Sequence, residues 1–282
     1  MQPTAWREWT AADAAPWIEA PGADDDKYSR GVLGVVTGSA DYPGAAVLGV
    51  EAAARTGVGM VRYIGTRSLR QAVLARRPEV VTMPGRVQAW LIGSGMDAGR
   101  RPLVLSGELL TALTSGLPVV LDAGGLDLAG THIGPTVVTP HAGELARLLT
   151  AREVRVGVDE VRADPAAWAE RAAHELGVAV LLKGAVTHVV DPEGRRFTVT
   201  APTHRLATAG SGDVLGGILG GLAALAHRRL DDEAGALTQI AATAAFVHGA
   251  AGLRAVDAAG GGPITALDVA AQVPAVIGSL AG

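Results

Sequence analysis

Short apolar segments alternate with helical segments along nearly the whole chain, and this alternation restricts the fold more than any other feature. The segments that read as buried strands are residues 31–38, 57–63, 80–83, 89–95, 117–122, 136–141 and 178–184. The helical segments lie at about residues 43–56, 143–149, 164–176, 234–258 and 265–273. Residues 187–191 and 196–200 flank a Pro-Glu-Gly turn and predict a hairpin. This order predicts an α/β fold with a mostly parallel sheet.

Composition agrees with such a fold and excludes several functions. The chain has 282 residues, of which 49% are hydrophobic, and its 38 glycines and few aromatic residues suit small-residue helices packed on a parallel sheet. The net charge of −4 and the lack of a basic run argue against a nucleic-acid partner. With no cysteine, disulfides and cysteine metal sites are excluded.

The ends and linkers of the chain suggest a single soluble domain. No repeat, linker or low-complexity segment interrupts residues 1–282, and residues 1–30 read as a polar extension whose tryptophans cover the core. The first 16 residues lack the basic and apolar regions of a signal peptide, and the longest apolar runs are too short and glycine-rich to span a membrane. We therefore expect a cytoplasmic protein without a membrane partner.

Residues 207–213 form a glycine-rich turn that leads directly into an apolar helix. The first N–H groups of a helix have no intrahelical partner, and together with the helix dipole they favour an anion such as phosphate. Asp213 lies at the same helix entrance, where a carboxylate would act on a hydroxyl beside a transferring phosphoryl group. The alternative is that Asp213 only caps the helix, and this short motif alone leaves both interpretations open.

Chemically active residues also follow several of the predicted strands. Ligands of open parallel sheets bind at the carboxyl ends of the strands. The groups at these ends are Thr37-Gly38-Ser39, Gly93-Ser94-Gly95, Asp122, Thr139-Pro140-His141 and Lys183-Gly184. Five such endings together with the glycine-rich helix start predict one site at that edge of the sheet.

The order of these motifs resembles that of the ADP/ATP-dependent NAD(P)H-hydrate dehydratases. The residues that carry the resemblance are Gly38-Ser39, Tyr42-Pro43-Gly44-Ala45-Ala46, Ile92-Gly93-Ser94-Gly95, Leu121-Asp122-Ala123, Thr139-Pro140-His141-Ala142-Gly143-Glu144, Leu182 to Thr187 and Ala209 to Leu215. The resemblance covers residues 27–273 and implies a ribokinase-like, three-layer α/β/α fold with a carbohydrate-kinase-like domain. Three positions depart from the family pattern: Ala142 replaces Pro, Ser211 replaces Thr, and residues 122–126 lack a second acid after Asp122.

The resemblance implies a lyase that repairs a damaged cofactor. NADH or NADPH can add water across a ring double bond, and the enzyme would phosphorylate the new hydroxyl of the (6S) hydrate with ADP or ATP and Mg²⁺. Elimination of phosphate would then restore the reduced nicotinamide, since phosphate leaves far more readily than hydroxide. The family further implies a homotetramer, and epimerisation would come from a separate protein because this chain has no epimerase domain.

The resemblance also assigns residues. Asp213 would be the catalytic base, and the backbone N–H groups of Gly210 and Gly212 would stabilise the phosphoryl group. The hydrated cofactor would contact Ala45, Gly95, His141 and Asp213. The adenine nucleotide would contact Lys183, Gly184, Ala185, Val186, Thr187, Ser211 and Gly212, with Lys183 near its phosphates. No residues are assigned to a protein-held metal, and His204 and His248 are interpreted as structural.

Two other functions fit parts of the pattern. A ribokinase-like kinase of a thiamine-precursor alcohol, hydroxyethylthiazole or hydroxymethylpyrimidine, would share the glycine-rich helix start and the acid. The motifs around Tyr42 and His141 favour the dehydratase. A catalytically silent nucleotide-binding regulator is the third possibility, and the intact Asp213 beside an intact phosphate site argues against it.

Overall fold

The computed structural model describes residues 5–101 and 105–282, and within them nine strands form one sheet. The strands are β1 (Arg7–Glu8), β2 (Val32–Val36), β3 (Met60–Tyr63), β4 (Ala89–Ile92), β5 (Val119–Leu121), β6 (Thr136–Val138), β7 (Ala179–Leu182), β8 (Val186–Val190) and β9 (Arg196–Thr200). Their order in the sheet is β1-β9-β8-β7-β6-β5-β4-β2-β3. Every neighbouring pair is parallel except the two that involve β8, so the expected mostly parallel sheet and the hairpin are confirmed.

The helices cover both faces of this sheet. They are α1 (Ala11–Ala14), α2 (Pro43–Ala54), α3 (Arg67–Arg76), α4 (Ser106–Thr114), α5 (Ala142–Thr150), α6 (Val158–Ala163), α7 (Pro165–Leu176), α8 (Ser211–Leu225), α9 (His227–Asp232), α10 (Ala236–Ala258) and α11 (Ala266–Ala281). Successive side chains of β2 point to opposite faces. Leu33 and Val35 join the core beneath α2, α8, α10 and α11, whereas Val32 and Val36 join the core beneath α5 and α7. The three-layer α/β/α arrangement is therefore confirmed.

The glycines of α8 allow this helix to lie unusually close to α2. A Cβ atom on Gly217 would lie 2.2 Å from the carbonyl oxygen of Gly49, and one on Gly221 would lie 2.4 Å from Oγ1 of Thr56. Glycine weakens a helix by roughly 0.5–1 kcal/mol relative to alanine. Here that cost is offset by close backbone packing, which fixes where α8 begins relative to the ends of the strands.

The described N-terminal residues contribute two tryptophans to the core and one short strand to the sheet. Trp9 and Trp17 are buried in the core beneath α10, and Trp9 donates a hydrogen bond from Nε1 to Thr243 Oγ1 (3.2 Å). Residues Arg7–Glu8 also form the edge strand β1, parallel to β9. Two polar residues carry no strand pattern, so no local feature predicts this pairing.

Two predicted elements differ from the structure. Val81 makes only an isolated bridge to Arg62, and the predicted strand at residues 80–83 is wrong. The last helix does not end before Pro274 but continues to Ala281. Val273 and Val276 are both buried, so packing on either side of the proline outweighs its local cost to the helix, typically about 3 kcal/mol.

Helix α10 is long and apolar enough to cross a membrane, with a mean hydropathy of 1.3. Within this fold 78% of that apolar stretch is buried, where α10 packs against α8 and α11. It is the central helix of one core layer.

Candidate active site

The carboxyl ends of four neighbouring strands bring a polar cluster together beneath α8. Asp122 follows β5 and is only 3% exposed. Its Oδ2 accepts a hydrogen bond from Ser94 Oγ (2.7 Å), which follows β4, and its Oδ1 accepts one from Thr139 Oγ1 (2.7 Å), which follows β6. Lys183, after β7, completes the cluster by donating from Nζ to Asp122 Oδ1 (2.8 Å).

Asp122 and Lys183 form a buried ion pair. Burial raises the pKa of Asp122, but the charge and hydrogen bond of Lys183 and the bonds from Thr139 and Ser94 lower it further, so the net pKa lies below its usual value. Burial lowers the pKa of Lys183, while the charges of Asp122 and Glu144 raise it, and the net direction is upward. Both partners therefore stay charged at neutral pH.

Helix α8 begins directly above this pair. Gly210 is its N-cap residue, with φ 85° and ψ −8°, and Ser211, Gly212 and Asp213 form the first helical turn. The left-handed conformation requires glycine at this position, and a Cβ on Gly210 would lie 2.4 Å from Leu48 Cδ1. Asp213 is the third residue inside the helix and the N-cap residue is Gly210, so the simple capping interpretation of Asp213 is wrong.

Asp213 is held in surroundings that favour its neutral form. Burial is the largest cause, the charge of Asp122 acts in the same direction, and Lys183 and Ser94 act against them. The result raises the pKa of Asp213 to about 6. A carboxylate with this pKa is mostly ionised at neutral pH and accepts a proton more readily than an ordinary aspartate, which suits a general base.

A cavity of about 550 Å³ lies beside the start of α8, between the β8–β9 hairpin, residues 201–208 and α10. Its size falls in the usual range for small-molecule sites, about 300–1,000 Å³. Most of the residues predicted to bind the nucleotide line it, namely Lys183, Gly184, Ala185, Thr187, Ser211 and Gly212. Val186 does not line it: this residue is exposed and pairs with Thr200 across the hairpin.

The residues predicted to contact the hydrated cofactor divide into two groups. Ala45 and Gly95 are adjacent, since a Cβ on Gly95 would lie 2.5 Å from Ala45 Cβ. His141 lines the 550 Å³ cavity instead, where the backbone N–H groups of Gly143 and Glu144 donate to its Nδ1 (3.0 and 3.2 Å). Asp213, at the start of α8, is the fourth predicted contact.

Two histidines that were interpreted as structural from the sequence, His204 and His248, also line the cavity. His248 Nε2 lies 3.0 Å from Ser211 Oγ, and burial lowers the pKa of His248 to about 4, so its ring is neutral at physiological pH. Neither histidine belongs to a local motif, and only the packing of α10 against α8 brings His248 to the site.

Sequence reasoning also gave no role to Glu144. Its Oε2 accepts a hydrogen bond from the backbone N–H of His141 (2.8 Å) and lies 3.7 Å from Lys183 Nζ. The pattern of a glutamate three residues after a helix N-cap was the available signal, since such a glutamate closes a capping box.

Across residues 5–101 and 105–282, no group of three or more histidine, aspartate or glutamate side chains is arranged to hold a metal ion. Mg²⁺ at phosphoryl-transfer sites is often bound largely by substrate phosphates and water.

Comparison with known proteins decides among the candidate families. The family model described as NAD(P)H-hydrate dehydratase, of the carbohydrate-kinase type, matches residues 33–274. The chain belongs to the NAD(P)H-hydrate dehydratase family. The match covers the glycine-rich start of α8, the Asp122 cluster and all the predicted site residues.

Individual relatives support the assignment. An ADP-dependent (S)-NAD(P)H-hydrate dehydratase of Neisseria meningitidis is 34% identical over 251 residues, which cover 83% of this chain and 80% of the relative. The bifunctional NAD(P)H-hydrate repair enzyme Nnr of Mycobacterium tuberculosis is 45% identical over 226 residues, which cover 76% of this chain and 45% of the relative. The chain thus spans about half the length of the first curated relatives it matches.

Solved structures confirm the fold. The ADP/ATP-dependent NAD(P)H-hydrate dehydratase of Bacillus subtilis, co-crystallised with ATP and Mg²⁺, superposes with a TM-score of 0.82 at 24% identity and covers 98% of this chain and 99% of its own. A ribokinase-like protein of Enterococcus faecalis superposes with a TM-score of 0.77 at 20% identity and covers 100% of this chain and 98% of its own. The ribokinase-like architecture is therefore confirmed.

Proposed function

We propose that the protein restores NADH and NADPH from their (6S) hydrates, with ADP or ATP as phosphoryl donor. One observation carries the proposal: Asp213, a partly buried acid whose pKa is raised to about 6, stands in the first turn of α8 beside the 550 Å³ cavity. The names of the Neisseria and Bacillus relatives supply the substrate class.

The cavity is the proposed nucleotide site. Its apolar lining, which includes Leu206 and Leu215, suits an adenine ring, and Thr187 and Ser211 offer hydroxyl groups to the polar parts of the nucleotide. The phosphates, with their Mg²⁺, would extend toward Lys183 and the free N–H groups at the start of α8. Ala45 and Gly95 would hold the hydrated cofactor on the other side of Asp213.

Chemistry at the site then has two steps. Asp213 accepts the proton of the hydrate hydroxyl while the hydroxyl oxygen bonds to the terminal phosphorus of the nucleotide. The bond from that phosphorus to the rest of the nucleotide breaks, and AMP leaves from ADP or ADP from ATP. The backbone N–H groups of Gly210 and Gly212 stabilise the charge on the transferring group. The ring nitrogen's electrons then expel inorganic phosphate, and loss of a proton from the neighbouring carbon restores the double bond.

The wider context follows from the same proposal. Because its proposed substrates are soluble metabolites, we propose that the protein acts in the cytoplasm. We propose that residues 1–282 act as one domain in a homotetramer, with small molecules as partners and a separate epimerase supplying the (6S) form. The Mycobacterium relative is named bifunctional, and the match covers 45% of its length, which leaves room in that longer chain for a second activity.

The test is an absorbance assay. Hydrated NADH is mixed with protein, Mg²⁺ and ADP or ATP, and the near-ultraviolet absorbance of the dihydronicotinamide is followed. We expect nucleotide-dependent recovery of absorbance, with no phosphorylation of hydroxyethylthiazole or hydroxymethylpyrimidine under the same conditions. Absorbance that stays flat, with either alcohol phosphorylated, would replace the dehydratase with the thiamine-precursor kinase.

A further inference from the structure

Asp122 is too enclosed to reach a substrate. It is 3% exposed, and both of its oxygens are occupied: Oδ1 accepts from Lys183 and Thr139, and Oδ2 accepts from Ser94. Buried charges are costly unless paired and hydrogen-bonded, and this one is fully satisfied. A group with this geometry acts on its neighbours rather than on a ligand.

Two of those neighbours face Asp213. Lys183 Nζ lies 3.5 Å from the position that a Cβ on Gly212 would occupy, and Gly212 directly precedes Asp213 in α8. The charge of Lys183 and the hydroxyl of Ser94 both favour the ionised form of Asp213. Ser94 has one hydroxyl proton, which it donates to Asp122, so the two carboxylates compete for it.

We infer, building on the proposed role of Asp213 as base, that Asp122 is a positioning residue: by holding the Lys183 ammonium and the Ser94 proton, it sets the charge state in which Asp213 meets the substrate hydroxyl. Asp213 is therefore a stronger base than it would be if Lys183 were not paired with Asp122. Asp122 also keeps Lys183 beside the helix entrance, where its charge faces the nucleotide cavity.

Few other charged groups lie close enough to change the charge state of Asp213. Of the elements packed against α8, α2 carries Glu51, which pairs with Arg55, Arg76 and Arg77; α10 carries His248 and, toward its C-terminal end, Arg254 and Asp257; α11 carries Asp268; and α9 carries its charges at the opposite end of α8. At the start of α5, His141 and Glu144 lie beside Lys183. Glu144 acts on Lys183 and not on Asp213, and Asp268 is engaged with Thr265. Asp122, Lys183 and Ser94 are the side chains that act on Asp213.

The Asp122→Asn substitution keeps the shape and changes the charge. The amide oxygen can still accept from Lys183, whereas the amide nitrogen faces Ser94 and must donate to it. The Ser94 proton then turns to Asp213, and Lys183 interacts with Asp213 more strongly. Both changes lower the pKa of Asp213. Ser94→Ala removes the hydroxyl altogether and raises that pKa.

The matched control is Asp191→Asn. Asp191 is 4% exposed and accepts hydrogen bonds from Thr238 (2.9 Å) and from Arg195 (2.9 and 3.1 Å), so it is an equally buried, arginine-paired aspartate. It lies after β8, the strand that runs opposite to its neighbours, and therefore at the other edge of the sheet. Its loss should lower stability and leave the pH profile of the reaction unchanged.

The experiment measures the acid limb of kcat/KM against pH, and the carboxyl titration of Asp213 by ¹³C NMR without substrate, assigned with the Asp213→Asn variant. We expect Asp122→Asn to move both downward by about one pH unit, which raises relative activity about fivefold at about pH 5. Ser94→Ala should move both upward, and Asp191→Asn should move neither.

Unchanged titrations in Asp122→Asn and Ser94→Ala, with only a lower rate or a lower melting temperature, would overturn the inference and leave Asp122 a structural residue. The NMR arm keeps the two proposals separate. If the wild-type protein shows no dehydratase activity, the proposed function fails, yet the titration of Asp213 still reports whether Asp122 controls it.

Discussion

Two glycines at the start of α8 should respond to alanine in opposite ways. Gly210 has φ 85°, and its added Cβ would lie 2.4 Å from Leu48 Cδ1 and 3.1 Å from Ala266 Cβ. Gly212 has an ordinary helical conformation, and its added Cβ would lie 3.5 Å from Lys183 Nζ, which is a normal contact. The first substitution therefore strains the fold, whereas the second places a methyl group where the phosphates are proposed to bind.

The magnitudes follow from these contacts. A left-handed alanine costs about 1–2 kcal/mol and displacement of a packed side chain about 1–3 kcal/mol. Because 1 kcal/mol shifts the melting temperature of a large domain by about 2–4 °C, Gly210→Ala should lower it by roughly 4–20 °C. Gly212→Ala should leave it unchanged or slightly higher, since alanine favours helix by up to about 1 kcal/mol over glycine.

Activity should separate the two positions further. Disturbing one preorganised donor to a phosphoryl group typically costs about 10²–10³-fold in kcat, so we expect Gly212→Ala to lose at least about tenfold in rate while it melts like the wild type. Melting curves and initial rates on the same preparations provide the test. Full activity of Gly212→Ala would show that this turn does not bind the transferring group, and an unshifted melting temperature of Gly210→Ala would contradict the packing argument.

Three further predictions follow from the buried charges. Asp213→Asn should lower turnover by about 10²–10⁴-fold while calorimetry shows unchanged nucleotide affinity. Burial raises the folded-state pKa of Asp213 to about 6, so ionised Asp213 destabilises the fold increasingly as pH rises from about 4 to 6. Asp213→Asn should therefore be more stable than the wild type at neutral pH by on the order of 2 kcal/mol. Equal stability of the two proteins above about pH 7 would argue against this. Lys183→Ala should weaken ADP binding more than binding of the hydrate and should destabilise the fold by about 3–5 kcal/mol, since Asp122 loses its counter-charge; unaltered ADP affinity would remove Lys183 from the nucleotide site. Glu51→Gln should leave kcat unchanged and should lower the free energy of unfolding at neutral pH. Burial raises the pKa of Glu51, but three arginines lower it to about 2, so the wild type should lose this extra stability as pH falls from about 5 to 2. Acid unfolding curves of the two proteins that coincide would contradict this.

The sequence predicted the parts of the fold and site that depend on local patterns. Strand–helix alternation gave the parallel sheet, and the carboxyl-end rule placed Ser94, Asp122, Thr139 and Lys183 at one edge, where the structure joins them by hydrogen bonds. Glycine spacing identified the start of α8. These features are set by the chain within a few residues of each position, so they can be read without tertiary information.

The features that sequence reasoning missed depend on distant parts of the chain. His248 reaches the cavity because α10 packs on α8, which no local pattern shows. Helix α11 passes Pro274 because buried valines flank it, and a rule based on proline alone ended the helix too early. The proposed positioning role of Asp122 could not be predicted from its motif, because its hydrogen-bond partners follow three other strands.

The most direct test of the central claim is a product balance. Hydrated NADH is incubated with the protein and ADP, and the NADH recovered, the inorganic phosphate released and the AMP formed are measured at several times. If the site at the start of α8 phosphorylates the hydrate and phosphate is then eliminated, the three products form in equal amounts. None of the three should form with Asp213→Asn. Recovery of NADH without matching phosphate and AMP would contradict phosphorylation as the route to dehydration.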